Sequence, residues 1–139
     1  MAHWLYKSEP FKWSWADQVA AGEAGTIWDG VRNHSAKLNL MAMKIGDQGF
    51  FYHSNEGLEI VGIVEVTRLS EQDSTTDDPR WDCVCVRAVM PFARPVSLDT
   101  CKVQPGLEAM VLINNSRLSV QPVTAGEWEI ICRLGGLDA

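Results

Sequence analysis

The sequence has no apolar run that approaches the roughly 20 residues of a membrane-spanning helix. Its N-terminus also lacks the apolar segment of a secretory signal, because residues 1–4 lead directly into a strand-like stretch. These two absences argue against membrane insertion and secretion. We therefore expect a cytoplasmic protein without a membrane partner.

Cysteines are few, and their spacing is not that of a metal or redox site. Cys83 and Cys85 are two residues apart, so on a strand they share one face instead of forming a C-x-x-C pair. Cys101 and Cys132 stand apart from them in the sequence. Without a secretion signal, the four thiols are expected to be reduced and structural. We expect neither a metal ion nor another cofactor.

Motifs for the common catalytic chemistries are missing as well. The sequence has no G-x-S-x-G elbow, no H-E-x-x-H and no phosphate-binding glycine loop. It also lacks the H-x-E and P-C-x-x-C elements of nucleobase deaminases. His53 and Ser54 are adjacent, but neighbours on a strand point to opposite sides and do not form a nucleophile–base pair. The sequence therefore favours a protein that is not an enzyme.

Net positive charge is absent too, since the formal net charge at pH 7 is −6. This value argues against a protein that wraps duplex DNA by bulk electrostatics. The acidity is concentrated in residues 45–82, which hold two basic and nine acidic side chains. Residues 1–44 hold five basic and four acidic side chains. A surface built by this first segment is therefore still able to bind an anionic ligand.

The 139 residues form one domain that combines strands with short helices. Strands are predicted at residues 3–8, 50–54, 58–69, 81–90 and 118–123. Helices are predicted after Ser14, after Asn33 or Ser35, and over residues 124–134, with helical turns within 96–102 and 105–113. Gly62 is expected to bulge its strand, whereas Pro91 and Pro95 are expected to end theirs.

This order of elements predicts an α+β fold. The sheet is expected to be mainly antiparallel and to curl into a small closed barrel. The helices are inserted after the first strand and at the C-terminus.

The stretch Trp28–Asn33 holds most of what is needed to bind a nucleobase. Trp28 offers a flat apolar face, and Gly30 permits close approach because it has no Cβ. Arg32 supplies a forked cation, and the Asn33 amide has the donor and the acceptor that pairing with a base edge requires. The alternative is structural: Trp28 as a core residue, Gly30 as a turn residue and Asn33 as a helix cap.

Aromatic faces and hydrogen-bond donors recur elsewhere in the chain. Four of the six tryptophans fall within the first 28 residues: Trp4, Trp13, Trp15 and Trp28. Most tryptophans in a domain of this size are core residues. Side chains suited to a base and its phosphate are Lys7, Ser8, Trp28, Arg32, Asn33, Tyr52, His53, Ser54, Arg117 and Ser119. Spacing in the sequence does not show whether they converge.

Six motifs in register resemble the EVE domain, including that of the thymocyte nuclear protein family. They are Trp4-x-x-Lys7-x-Glu9-Pro10, Trp28-Asp29-Gly30-Val31-Arg32-Asn33, Gly46-Asp47, Phe51-Tyr52-His53-Ser54, Val61-Gly62-Ile63 and Arg117-Leu118-Ser119-Val120-Gln121-Pro122-Val123. The match spans nearly the whole chain, as in single-domain bacterial members, which makes residues 1–139 a single EVE domain. One departure is His34, at a position where the family commonly has tyrosine.

The resemblance implies a PUA-like β-barrel, related to PUA, ASCH and YTH domains. It also implies a pocket that receives a modified, flipped base of DNA or RNA, in a monomer whose partner is modified nucleic acid. The implied base-binding residues are Lys7, Ser8, Trp28, Gly30, Val31, Arg32, Asn33, His34, Tyr52, His53, Ser54, Arg117 and Ser119.

Roles within this set follow from side-chain chemistry. We assign Trp28 to a pocket wall or stack, and Asn33 and Ser54 to the base edge. Lys7, Arg32 and Arg117 are expected to contact phosphate or to complete a hydrogen-bond network. Tyr52 and His53 point to opposite faces of their strand, and Tyr52 is favoured for the pocket because Ser54 then joins it.

Two alternatives stay open at this point. One is an enzyme that acts on a modified nucleotide, with His53 or Lys7 as its acid–base group. The other is a module on the same barrel that binds a small molecule or a protein. The acidic segment 45–82 supports this alternative.

Overall fold

A computed structural model describes residues 2–28, 34–72, 82–115 and 117–137. The strands are β1 (His3–Ser8), β2 (Thr26–Trp28), β3 (Gln48–His53), β4 (Glu59–Gln72), β5 (Asp82–Ser97) and β6 (Val120–Val123). The helices are α1 (Trp15–Ala20), α2 (His34–Ala42), α3 (Leu98–Val103), α4 (Val111–Asn114) and α5 (Ala125–Leu134), with a 3₁₀ turn at Gly22–Ala24. None of these described helices is long and apolar enough to cross a membrane.

The six strands form one mixed sheet in the order β2-β5-β4-β3-β1-β6. Only β1 and β3 pair in parallel in the part of the chain that is described, so the prediction of a mainly antiparallel sheet is confirmed. The sheet is a half-barrel whose edges are β2 and β6, where the sequence had suggested a closed barrel. Helix α2 contacts β5 and β6, and the Asn39 side-chain amide donates to the Val120 carbonyl at 2.7 Å.

Alternating side chains divide the core between the two faces of the sheet. The α2 face carries the cluster Trp4, Tyr6, Trp28, Ala36, Leu40, Met43, Phe51, Val64, Val66, Val84, Val86, Leu118 and Val120. The α5 face packs Leu5, Phe50 and Tyr52 against residues of α3, α4 and α5. A site residue on β1 or β3 therefore belongs to one face or the other, according to its place in the alternation.

Helix α1 begins directly after Ser14, as predicted, and α5 begins one residue into the predicted range 124–134; each starts with a capping box. The Ser14 hydroxyl accepts from the Asp17 backbone N–H, and the Asp17 carboxylate accepts from the Ser14 N–H. Thr124 and Glu127 make the same reciprocal pair at the start of α5. These two-way bonds satisfy backbone donors that the first helical turn leaves unpaired.

Strand β5 corrects the prediction that Pro91 and Pro95 end it, since it continues to Ser97. Strand β2 pairs only with residues 84–86 of β5, so in the described sheet β5 has β4 as its single neighbour beyond that point. The free side of a strand tolerates a proline, which has no N–H to donate. Pro91 lies opposite Gly62, where the register shifts, which confirms the predicted irregularity at Gly62.

Strand β2 was not predicted, because three residues carry too little pattern to identify a strand. Its position depends on Gly25, which has a φ of +69°. A Cβ at Gly25 lies 2.2 Å from the Val86 carbonyl oxygen, so only glycine lets the chain approach β5 this closely. The pairing brings Trp28 opposite Val84, at the end of β2.

Candidate functional site

Five aromatic rings meet on the α2 face and form what we call the aromatic cluster: Tyr6, Trp15, Trp28, Phe51 and His53. The Trp28 ring contacts Tyr6 at 5.2 Å and Phe51 at 5.8 Å between centroids. Phe51 in turn contacts Trp15 at 5.4 Å and His53 at 5.7 Å. All four contacts are edge-to-face, a favoured geometry for aromatic pairs.

Trp28 is the first residue of the sequence motif and the last described residue before position 34. Its side chain is only 9% exposed, because it packs against Tyr6, Phe51 and the α2 face of the half-barrel. Gly30, Val31, Arg32 and Asn33 lie outside the described residues. His34 begins α2, and its side chain is likewise not described.

His53 faces the aromatic cluster and holds the start of α1. Its Nε2 accepts a hydrogen bond from the Trp15 backbone N–H at 3.0 Å, so the neutral ring carries its proton on Nδ1. Burial lowers the pKa of His53, and the negative charge of Glu59 opposes this shift in part. The ring is therefore neutral near pH 7, and its lone pair is already engaged by the backbone.

Tyr52 points to the face opposite Trp28, and it lines a cavity there together with Ser54, the residue expected to join it. Tyr52 is buried in the α5-face core, where desolvation raises its pKa to about 12, with further contributions from Cys101 and Asp99. The sequence correctly placed Tyr52 and His53 on opposite faces. It did not indicate which face Trp28 occupies, because the pairing of β2 with β5 is a long-range feature.

Tyr52 shares the α5 face with two other predicted site residues, around a cavity of about 160 Å³. The cavity is lined by Lys7, Tyr52, Ser54, Asn55, Leu58, Leu98 and Leu112. Burial lowers the pKa of Lys7, because the protein interior solvates an ammonium less well than water. Among the described residues, the predicted set therefore divides between the two faces of the sheet, with Trp28 on one and Lys7 and Tyr52 on the other.

The two groups meet at one end of the sheet, where β1 and β3 finish and β6 begins. The Lys7 backbone N–H donates to the Ser119 carbonyl at 2.9 Å, and the Ser54 N–H donates to the Ser8 carbonyl at 2.9 Å. Arg117 is exposed in the loop before β6. Five of the predicted residues thus converge, although they come from three separate segments of the chain.

Ser8 is buried on the α2 face, and its hydroxyl donates to the Trp13 carbonyl. This bond ties the turn after β1 to the end of the strand. The Ser8 hydroxyl is therefore already hydrogen-bonded within the protein, and Ser8 acts by holding Trp13 in position.

The segment that Ser8 holds contains two tryptophans, Trp13 and Trp15, that the sequence does not assign to the site. Trp13 and Trp15 are both partly exposed and pack against the α2-face core. The Trp13 Nε1–H donates to the Gln18 Oε1 at 2.9 Å, and the Gln18 amide donates to the Val86 carbonyl at 3.2 Å. The sequence signal for these residues is the high number of tryptophans within the first 28 positions. That number alone does not show whether a tryptophan lines a binding site or fills the core.

The side chains of three of the four cysteines are described. Cys85, Cys101 and Cys132 are free and buried, and burial raises the pKa of both Cys101 and Cys132 to about 11. Among the side chains described, no three histidine, cysteine or acidic groups gather in a way that suits a metal ion.

The half-barrel, with α2 on one face and α3 to α5 on the other, is a PUA-like α+β fold, as predicted. The family model of the EVE domain matches residues 2–134. The chain belongs to the EVE domain family, which confirms the resemblance drawn from its motifs.

Relatives and solved structures agree with this assignment. Thymocyte nuclear protein 1 of Rattus norvegicus is 35% identical over 95% of this chain and 73% of its own length. A crystal structure of a protein from Agrobacterium tumefaciens is 60% identical, with a TM-score of 0.97 over 99% of this chain and 94% of that one. Human THYN1 protein in complex with DNA containing 5-methylcytosine is 32% identical, with a TM-score of 0.91 over 100% of both chains.

A more distant likeness concerns the fold alone. The YTH domain of the Zygosaccharomyces rouxii MRB1 protein, solved with N6-methyladenosine RNA, is 18% identical with a TM-score of 0.57. It covers 99% of this chain and 88% of that domain.

Proposed function

We propose that this chain is a non-enzymatic module that binds a modified base of DNA or RNA, in a single strand or flipped from a duplex. The observation that carries the proposal is the likeness to human THYN1 protein, solved with DNA containing 5-methylcytosine, over the full length of both chains. The proposed base-binding residues are those that the sequence motifs indicate. Their positions in the fold separate them into a group near Trp28 and a group at the converging strand ends.

In this proposal the base enters beside Trp28, at the edge of the aromatic cluster. A methyl group on a base gains most from an apolar aromatic wall, and the Trp28 ring is held for that purpose by Tyr6 and Phe51. We assign Asn33 to the base edge and Arg32 to a base edge or phosphate. Gly30 lets the loop approach the base closely.

The converging strand ends are assigned to the sugar–phosphate backbone. Lys7 and Arg117 are cations at this end of the sheet, and Ser54 and Ser119 add hydroxyl groups beside them. Phosphate contacts hold a nucleic acid in register without reading its sequence. A bound strand thus places its backbone over this end of the sheet while one base reaches Trp28.

The described side chains support binding rather than acid–base catalysis. The His53 Nε2 lone pair is used by the Trp15 N–H, so this ring is not a free base. The Tyr52 pKa of about 12 keeps its hydroxyl protonated near neutral pH. Lys7 lies on the opposite face from Trp28, which separates it from a base held there.

The proposal is tested by an affinity panel at fixed salt. Oligonucleotides of one sequence, single-stranded and duplex, carry cytosine, 5-methylcytosine, adenine or N6-methyladenine at one position. We expect at least one modified base to bind about tenfold more tightly than its unmodified counterpart, a difference of about 1.4 kcal/mol. Equal affinities across the panel refute modified-base reading, and turnover of a modified nucleoside, lost in His53→Ala, favours the enzyme alternative.

A further inference from the structure

Trp13 has the opposite orientation from most surface tryptophans. A partly exposed indole usually keeps its N–H in water and buries its hydrocarbon. Here the N–H points inward to Gln18, whose side chain is 0% exposed. The only polar atom of the Trp13 ring is therefore engaged, and the part of the ring that reaches solvent is hydrocarbon.

The backbone of Trp13 is held as firmly as its ring. Its N–H donates to the Glu9 carbonyl at 2.9 Å, and its own carbonyl accepts from the buried Ser8 hydroxyl. The next segment is held in turn, because the Trp15 N–H is bonded to His53. An aromatic ring fixed in this way loses little conformational entropy when another flat group stacks on it.

Gln18 is a polar side chain inside the core, and its hydrogen bonds explain how it is accommodated there. Its carbonyl oxygen accepts from Trp13, and its amide nitrogen donates to Val86, in the segment of β5 that pairs with β2. Both ends of the amide are therefore paired, as a fully buried polar group requires. The same residue thus links the orientation of Trp13 to the strand that lies beside Trp28.

We propose that Trp13 is a second aromatic wall of the site, which stacks on a base of the bound strand, and that Gln18 is its positioning residue. This inference rests on the proposed function. Trp13 packs against the α2-face core that contains Trp28 and is bonded to Ser8, beside the converging strand ends. Its contribution is sequence-tolerant, because every base has a π-face to stack.

The first test measures the affinity of Trp13→Ala for the tightest oligonucleotide of the panel at several salt concentrations. We expect a loss of about 5- to 150-fold, the range for one base–aromatic stack, with an unchanged slope of log affinity against log salt. Trp13→Phe keeps an aromatic face and retains most of the affinity. Phe11→Ala is the matched control, because Phe11 lies in the same turn, is 62% exposed, and is outside the proposed wall.

The second test asks whether Gln18 acts through Trp13. Gln18→Leu lowers affinity in the wild-type background but not further in the Trp13→Ala background, a non-additivity that a general loss of stability does not produce. Thermal unfolding of each variant confirms that it is folded at the temperature of the binding measurement.

The outcomes separate this inference from the proposed function. If the wild-type chain discriminates no modified base, the proposed function fails. If it discriminates but folded Trp13→Ala binds as tightly as wild type, or weakens no more than Phe11→Ala, Trp13 is not a wall. Equal loss from Gln18→Leu in both backgrounds removes Gln18 as its positioning residue.

Discussion

At the scale of single residues, Trp28 combines two roles that a substitution has to separate. Its ring is part of the core, through Tyr6 and Phe51, and it is also the proposed wall of the base pocket. Deleting a buried tryptophan side chain removes both together. A loss of binding after such a deletion therefore says little about the pocket unless the fold is measured too.

We expect Trp28→Ala to lower the free energy of unfolding by about 3–5 kcal/mol, which is a large part of the stability of a small domain. Trp28→Phe keeps an aromatic ring of smaller area and leaves the domain folded, while binding to a modified-base oligonucleotide weakens. Urea denaturation and binding titrations on the same samples check both parts. Full affinity in folded Trp28→Phe and Trp28→Ala removes Trp28 from the pocket.

At the scale of elements, α1 depends on β3 and β4 for its position. The His53 ring accepts the first helical N–H, and the Trp15 ring covers Gly62, where a Cβ lies 2.4 Å from the indole. Glycine at this bulge thus gives Trp15 its place beside Phe51. The packing joins a helix near the N-terminus to residues of β3 and β4 that lie 38 and 47 positions further along the chain.

The His53 contact makes this attachment depend on pH. Because burial lowers the His53 pKa in the folded state, the unfolded chain binds a proton more readily. The stability that His53 contributes is full above its unfolded pKa of about 6.5 and falls as pH decreases from there towards the lower folded pKa. Urea denaturation from pH 8 to pH 5 measures this loss.

The control for this prediction is His53→Gln, which supplies an amide oxygen as acceptor but does not titrate in this range. His3, stacked on Trp128, also has a pKa lowered by burial, so it adds its own loss in both proteins. The difference between wild type and His53→Gln therefore isolates His53. Parallel stability curves for the two proteins contradict the assignment.

Element boundaries were predictable wherever local chemistry determines them. The capping boxes at Ser14 and Thr124 and the bulge at Gly62 each follow from residues within a few positions of one another. The end of β5 does not, because a proline is tolerated there only where β2 has already ended. The face of the sheet that Trp28 shares with His53 depends on the same long-range pairing, so the sequence alone does not indicate it.

At the scale of the whole molecule, a net charge of −6 requires that any nucleic acid be held by local cations. The acidic residues are concentrated in 45–82, whereas the Lys7 backbone at the end of β1 is bonded to Ser119, two residues after the exposed Arg117. A protein with this net charge gains little affinity from long-range electrostatic attraction to DNA. Under the proposed function, its affinity for nucleic acid is determined by a few phosphate contacts and by the base pocket.

Arg117 is the residue with which this balance is best tested, because it is exposed and lies beside the converging strand ends. If Arg117 contacts one phosphate, Arg117→Ala weakens binding and reduces the slope of log affinity against log salt by about 0.7 for a single strand or about 0.9 for a duplex. The loss is the same for modified and unmodified oligonucleotides, because a phosphate contact does not read the base. Arg133→Ala, which removes an equal charge from an exposed position on α5, serves as the matched control and leaves the slope unchanged. If wild type and both variants have equal slopes, Arg117 does not contact phosphate, and its role is structural, in the loop that precedes β6.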